Sequence, residues 1–316
     1  MKRLTYLITL TVLATGLSFA QTQAPANQNA KPEQGQQQKP AAGQAPSTGQ
    51  APAAGQTPEV PAGKRQPQAK SKPEYDAYVA LMQMTDPAAM EKAADDFVGK
   101  FPDSELKGAV YQRTMATYQN SGNEDKTLEM GQKSLSFNPD DPGVLVSIGE
   151  LIASRTRETD LDKDQRLAEA TKDAKHALET VTDYPAPPQM PPEQVATIKN
   201  EMRGTAYSVL GMAAYTNKNY PEAIENFKQA IDVTKENPDP TVYLRYTLAL
   251  DKAGRYPEAL EAANKTLTLQ GVPPQVTQLA TQEKNRLEKL ANAPKPAAPA
   301  APAAPTSPQP QPVQPH

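Results

Sequence analysis

The chain has 316 residues, with 33 prolines, no tryptophan and no cysteine. Its 33 lysine and arginine residues and 36 aspartate and glutamate residues leave a formal net charge of −3. Without cysteine the chain can form no disulfide. Because His176 and His316 are its two histidines, a zinc site built from His and Cys is effectively excluded. We therefore expect no metal and no cofactor.

The N-terminus has the pattern of an export signal. Two basic residues precede an apolar run over residues 4–17, and Ser18 and Ala20 supply the small side chains that a signal peptidase requires. We predict a signal peptide over residues 1–20, cut before Gln21. The apolar run has 14 residues, short of the roughly 20 that a membrane-spanning helix needs. A retained anchor is the weaker alternative, and the mature protein is expected to have no integral membrane segment.

Two segments are predicted to be disordered. Residues 21–71 consist mainly of Gln, Pro, Ala and Gly, and residues 293–316 are rich in Ala and Pro. So little apolar surface cannot offset the entropy lost when a backbone is ordered. The proline content favours extended polyproline conformations, so both segments are predicted to act as linkers.

The chain between these linkers is organised around residues 207–237, whose apolar spacing predicts two short amphipathic helices. The first helix has an aromatic-x2-Leu-Gly spacing and the second an Ala-x3-Phe spacing. The residues in these positions are Tyr207, Leu210, Gly211, Ala223 and Phe227, while Ala214 and Tyr215 stand near the usual second aromatic position. This stretch resembles a tetratricopeptide repeat (TPR), a unit of two antiparallel helices, A and B.

The small residue of helix B recurs along the chain. Counterparts of Ala223 occur at Ala93, Thr127, Ala170 and Ala259, at steps of 34, 43, 53 and 36 residues, against a TPR period of 34. These repeats predict five helix pairs between residues 72 and 292.

Three irregularities accompany the pairs. The connection within the third pair is lengthened over residues 155–164, and a proline-rich insert at residues 184–192 precedes the fourth pair. Residues 274–290 predict a terminal helix with a polar outer face. The predicted fold is an all-α, right-handed TPR-like superhelix of about five helix pairs plus a C-terminal capping helix, with disordered tails.

A second motif bears on location. Residues 97–104, Phe-Val-Gly-Lys-Phe-Pro-Asp-Ser, resemble a junction found in periplasmic TPR proteins that serve outer-membrane assembly and envelope division. Together with the signal peptide, this resemblance predicts a periplasmic or secreted protein.

Catalytic patterns are weak. His176 is predicted to be a half-exposed residue of the third helix B. Gly63-Lys64 and Gly99-Lys100 lack the glycine spacing and the following Ser or Thr of a phosphate-binding loop. The clustered aspartates and glutamates are typical of solvated helix ends. We expect no enzymatic activity.

Charge constrains the partner. Without Lys2 and Arg3 the net charge is −5. Residues 21–72 have a net charge of +4 and Lys295 adds +1, so the remaining core carries about −10. Such an acidic core argues against binding to nucleic acid phosphates.

The TPR resemblance implies a concave surface, lined by helices A, that binds a protein or peptide. Met212, Leu244 and Leu248 are expected to form an apolar patch on it. Carried over position by position, the candidate partner-binding residues are Gln112, Ala116, Gln119, Val146, Glu150, Ala153, Ser208, Met212, Tyr215, Leu244, Leu248 and Asp251. The resemblance thus implies an exported scaffold of the bacterial cell envelope. The alternatives are a structural spacer and a non-catalytic accessory subunit of an envelope complex.

Overall fold

The computed structural model describes residues 65–291, with side chains described as far as residue 290. Within this range the chain forms α-helices and one short 3₁₀ turn, and no strand. The predicted signal peptide, residues 21–64 of the predicted linker and the tail at residues 293–316 lie outside the described residues.

Eleven helices follow one another in the described range. They are α1 (Lys72–Met82), α2 (Pro87–Lys100), α3 (Lys107–Ser121), α4 (Glu124–Phe137), α5 (Pro142–Arg155), α6 (Lys163–Thr180), α7 (Pro192–Thr216), α8 (Tyr220–Val233), α9 (Pro240–Lys252), α10 (Tyr256–Thr268) and α11 (Pro274–Ala291), with the 3₁₀ turn Val181–Asp183 after α6. None of the described helices is long and apolar enough to cross a membrane.

The helices pack in consecutive pairs, α1 with α2 through to α9 with α10, and α11 packs against α10 and α9. Odd-numbered helices up to α9 are helices A, and their partners are helices B. The predicted five pairs and terminal helix are therefore confirmed.

Local sequence fixes where the helices begin. Asp86, Asn123 and Asn219 precede α2, α4 and α8, and each side chain accepts a hydrogen bond from the backbone N–H three residues later. Such caps satisfy backbone donors that have no partner within the helix.

Tight turns between helix A and helix B need left-handed backbone conformations. Gly122 and Gly254, in the second and fifth pairs, have φ angles of 77° and 75°, and Lys218 holds a φ of 61° in the fourth pair. Glycine adopts this conformation without a Cβ clash, whereas lysine does so at a cost.

The core runs along the described solenoid and includes the small positions of helix B. Ala170, Ala223 and Ala259 are fully buried, and Thr127 is 3% exposed, as the repeat pattern predicted.

In the first pair, the prediction that Ala93 is the small inward residue of helix B is wrong. Ala93 is only half-buried, whereas Met90 is fully buried. Met90 lies four residues after the N-cap Asp86, as Ala223 lies four residues after Asn219. The inward face of α2 is formed by Met90, Ala94 and Phe97, and Ala93 lies one residue off that face. In the first pair, the residue equivalent to Ala223 is therefore Met90 and not Ala93.

The predicted irregularities appear as extensions. Residues 156–162 connect α5 to α6, which matches the lengthened connection. Residues 184–191 are largely non-helical and lead into α7, whose 25 residues make it the longest described helix. The boundary of the solenoid differs from the prediction, because residues 65–71 of the predicted linker lie against the helices.

Candidate functional site

The surface formed by α3, α5, α7 and α9, here named the helix-A face, carries the predicted partner-binding positions. The structure buries five of them and leaves the rest accessible. The buried residues are Val146, Ala153, Ser208, Met212 and Leu244, with exposed fractions of 2–8%. The half-buried or exposed residues are Gln112, Ala116, Gln119, Glu150, Tyr215, Leu248 and Asp251.

One polar cluster joins three helices A. The guanidinium of Arg245 on α9 donates a hydrogen bond to the hydroxyl of Ser208 on α7 at 3.0 Å. The same nitrogen lies 3.8 Å from a carboxylate oxygen of Glu150 on α5. The Glu150 side chain is 46% exposed and that of Arg245 is 25% exposed. A charged pair from different repeats is therefore held in place and remains accessible to solvent.

A second polar cluster lies at the C-terminal end of the face. Arg286 on α11 forms ion pairs with Asp251 on α9 at 2.5 Å and with Glu283 at 2.7 Å. These two carboxylates raise the pKa of Arg286 through hydrogen bonds and charge. Partial burial, followed by the nearby Tyr220, Asp251 and Glu283, raises the pKa of Tyr215. Tyr215 is therefore neutral and able to donate a hydrogen bond at neutral pH.

The repeat pattern had brought Glu150, Ser208, Tyr215 and Asp251 to one surface, and the structure places them in these two clusters. It had missed Arg245, Glu283 and Arg286. Arg245 directly follows Leu244, a predicted position, but the repeat pattern gives no reason to choose Arg245 over Leu244. Arg286 and Glu283 belong to α11, for which only a capping role had been predicted.

The expected apolar patch is not exposed. Met212 is 8% exposed and belongs to the main core, and Leu244 is 5% exposed. Leu244 packs with Val276 and Ala280 of α11, and the half-buried Leu248 packs against this small cluster. The C-terminal helix therefore covers the apolar part of α9, because it packs on α9 as a further helix A would.

Two clefts lie elsewhere, around the connections of α4, α5 and α6. The first has a volume of about 480 Å³ and is lined by the α3–α4 turn, Glu124, Asp125 and Arg155. The second, of about 360 Å³, has Leu128, Leu151 and Ile152 among its lining residues, together with charged side chains that include Arg155. Sequence reasoning had not singled out this region, beyond the lengthened α5–α6 connection.

His176 behaves as predicted. It lies on α6 with its side chain 37% exposed, and its Nε2 is 3.0 Å from a carboxylate oxygen of Asp140. The described residues contain no group of three or more His, Asp or Glu side chains that could hold a metal ion.

The close approach of helix A to helix B in the fourth pair decides the architecture. A Cβ added to Gly211 on α7 would lie 2.6–3.0 Å from ring atoms of Phe227 on α8, so glycine and the aromatic ring occupy the facing positions of a TPR. Ala223 closes the same interface with no exposed surface. The described chain is a TPR-like helical solenoid.

Several solved structures are similar to this solenoid. PilF of Pseudomonas aeruginosa has 17% sequence identity, covers 69% of this chain and 87% of its own, and gives a TM-score of 0.47. PilW, a widely conserved type IV pilus biogenesis factor, has 18% sequence identity. The match covers 70% of this chain and 94% of PilW, with a TM-score of 0.42. A thermophilic TPR protein of Thermus thermophilus has 17% sequence identity. The match covers 68% of this chain and 99% of that protein, with a TM-score of 0.38. No protein-family model matches the sequence, and no curated protein matches it. The assignment of the solenoid rests on its helix pairs and their facing positions.

Proposed function

We propose that the solenoid is an exported scaffold that binds a protein or peptide of the bacterial cell envelope through its helix-A face. The observation that carries this proposal is the Glu150–Arg245–Ser208 cluster, in which one arginine links three successive helices A. The predicted signal peptide supports export, and a periplasmic or secreted location follows from it.

The cluster suits recognition because its two charged groups, Glu150 and Arg245, are positioned and accessible, while the buried Ser208 holds the guanidinium in place. Ion pairs that are partly exposed contribute little to the stability of a fold. Charged groups on an accessible surface contribute mainly to partner choice and to the rate of association. A partner segment crossing the repeats would meet the carboxylate of Glu150, the guanidinium of Arg245 and then the cluster at Asp251.

Apolar contacts on the face are limited. Among the predicted partner-binding positions, those that combine accessibility with apolar surface are Ala116, Tyr215 and Leu248, all half-buried. We therefore propose recognition by hydrogen bonds and charge, with affinity sensitive to salt, instead of a leucine-rich helix inserted into an apolar groove.

The test is crosslinking of the full-length protein in its native envelope, followed by mass spectrometry of what is joined. In one variant, Glu150→Gln with Arg245→Gln neutralises the cluster while keeping side-chain size. In the matched control, Lys228→Gln with Asp232→Asn neutralises an exposed ion pair on α8, whose side chains are 56% and 58% exposed.

We expect the helix-A variant to lose the crosslinked partner and the α8 control to retain it, with equal melting temperatures. If both variants retain the same partner, the helix-A face is not the binding surface, and a structural spacer replaces the scaffold. Loss of the partner from both variants would also contradict the proposal. A captured enzyme would identify the chain as a non-catalytic accessory subunit.

A further inference from the structure

Residues 65–71, here named the strap, precede α1 and contact two connections of the solenoid and the first turn of α1. The guanidinium of Arg65 donates hydrogen bonds to both carboxylate oxygens of Glu105, at 2.8 and 2.7 Å. The backbone N–H of Gln68 donates to the same carboxylate at 3.2 Å. The ammonium of Lys70 donates to the carbonyl oxygen of Asp103 at 2.6 Å. The α2–α3 connection therefore holds the strap through acceptors alone.

A buried carboxylate receives the other end of the strap. Glu74, on the first turn of α1, is 3% exposed, and its Oε2 accepts a hydrogen bond from the backbone N–H of Lys70 at 2.7 Å. Its Oε1 is buried and has no hydrogen-bond partner among the described residues. Ala69 of the strap packs against the core beside it.

Glu74 is unusual for its position in the repeat. It stands 16 residues before Met90, as Tyr207 stands 16 before Ala223. Tyr111 and Tyr243 stand at the same spacing in the second and fifth pairs, and Leu145 is the equivalent in the third pair, whose connection is nine residues longer. A carboxylate where other pairs place an aromatic or apolar side chain weakens packing, so its hydrogen bond to the strap is the feature that explains it.

The strap also reaches a distant part of the solenoid. The side-chain amide of Gln66 donates a hydrogen bond to the carbonyl oxygen of Pro185 at 2.9 Å. Pro185 lies in the segment that leads from α6 to α7. Four groups from three parts of the chain therefore face the strap. These groups, here named the acceptor edge, are the carboxylates of Glu74 and Glu105 and the carbonyl oxygens of Asp103 and Pro185.

We propose that the acceptor edge is a binding site for an extended, basic peptide of a partner protein, and that the chain's own strap occupies this site in the structure. Every polar group of the edge that contacts the strap accepts hydrogen bonds, so its ligand must supply donors. The strap does so with an arginine fork, a lysine five residues later and the backbone N–H groups of Gln68 and of that lysine. A partner segment with Arg and Lys at that spacing offers the same donors.

The strap is attached weakly enough to be displaced. The Arg65 side chain is 66% exposed and that of Glu105 is 34% exposed, and ion pairs in solvent are screened and contribute little. With the strap bound, Arg65 lowers the pKa of Glu105 to about 2. After displacement the pKa returns towards the ordinary glutamate value of about 4.3, so the carboxylate is still charged at neutral pH for an incoming peptide. Because the strap is part of the same chain, its effective concentration at the site is about a millimolar or more. Binding of a competing peptide is therefore detectable only when the contacts of the strap with the acceptor edge are weakened.

The test uses the full chain and a fluorescent synthetic peptide with the sequence of residues 62–71, Ala-Gly-Lys-Arg-Gln-Pro-Gln-Ala-Lys-Ser. In the strap variant, Arg65→Ala with Gln66→Ala removes the side-chain contacts at one end. We expect this variant to bind the peptide at least about tenfold more tightly than the unaltered chain, because competition from the strap is reduced.

A charge reversal identifies the site. Adding Glu105→Arg to the strap variant should abolish binding, whereas adding Glu261→Arg, an exposed position on α10, should leave it unchanged. A peptide carrying Arg65→Glu should bind the Glu105→Arg protein better than the original peptide does. This exchange distinguishes loss of the contact from loss of the fold.

Two results would overturn the inference. Equal, weak peptide binding by the unaltered chain and the strap variant would show that the edge serves as an internal contact only. If light scattering instead shows that the strap variant dimerises without added peptide, a second copy of this chain, and not a partner peptide, fills the site.

Discussion

At the scale of single residues, the interface between α7 and α8 is set by what fits between two helices in close contact. Gly211 faces the ring of Phe227, and a Cβ at this position would lie 2.6 Å from one ring carbon and 2.7 Å from another. The ring is almost fully buried, with 1% exposed. It therefore cannot move aside without disturbing its own neighbours.

We predict that Gly211→Ala lowers the free energy of unfolding while Gly99→Ala raises it. Alanine favours a helix over glycine by about 0.5–1 kcal/mol at both positions. Only Gly211 meets a clash, which costs about 1–3 kcal/mol, because a Cβ at Gly99 has no neighbour within 4 Å. Thermal melts of both variants give the cost of the clash as their difference. Equal melting temperatures would show that α7 and α8 are not paired this closely.

The small positions were predictable because their spacing repeats, and the exceptions show what spacing misses. Ala223 and Ala259 share a Tyr-Pro-Glu-Ala sequence, and both are fully buried. In the first pair the sequence offers Ala93 at the right spacing from Phe97, yet the helix presents Met90 and Ala94 to the core. Ala93 and Ala94 are adjacent and equally small, so the spacing from Phe97 alone does not decide which of them faces the core.

At the scale of helices, α11 has a role that its sequence only half revealed. Its apolar positions predicted a cap, and Leu287 is fully buried. Its contacts with α9 were not predictable, because they depend on which face of α9 the next helix covers. The structure shows that Leu244 is covered and that Asp251 pairs with Arg286. The structure therefore buries Met212 and Leu244 of the expected apolar patch, while partner binding at the polar positions stays a prediction.

We predict that Leu287→Ala lowers the free energy of unfolding by about 2–5 kcal/mol, since truncating a buried leucine leaves a cavity. The matched control is Leu279→Ala on the same helix, where the side chain is 50% exposed and the change should stay within about 0.5 kcal/mol. Denaturant titrations of the two variants measure both values. A similar loss in both would mean that α11 packs on the solenoid through a different face.

At the scale of the whole molecule, the two ends of the described solenoid are closed by different means. At the C-terminal end α11 packs on the last pair as a helix. At the N-terminal end of the described range, the strap precedes α1 and donates a hydrogen bond to Glu74. Terminal repeats need such covering because the stacking face of a repeat is otherwise exposed to water. The strap had no apolar periodicity to reveal it, since its sequence continues the composition of the linker.

We predict that a fragment of residues 65–291 folds and melts like the full chain, whereas a fragment of residues 72–291 folds but melts at a lower temperature. The longer fragment keeps the hydrogen bond from Lys70 to Glu74, the packing of Ala69 and the link from Gln66 to Pro185. A net hydrogen bond contributes about 1 kcal/mol, and for a chain of this size each kcal/mol shifts the melting temperature by about 2–4 °C. Removing the strap should therefore lower the melting temperature by at least a few degrees, while circular dichroism still shows a helical spectrum. A lower melting temperature for residues 65–291 than for the full chain would show that chain outside this range stabilises the solenoid. Identical melts for the two fragments would show that the strap does not act as the N-terminal cap.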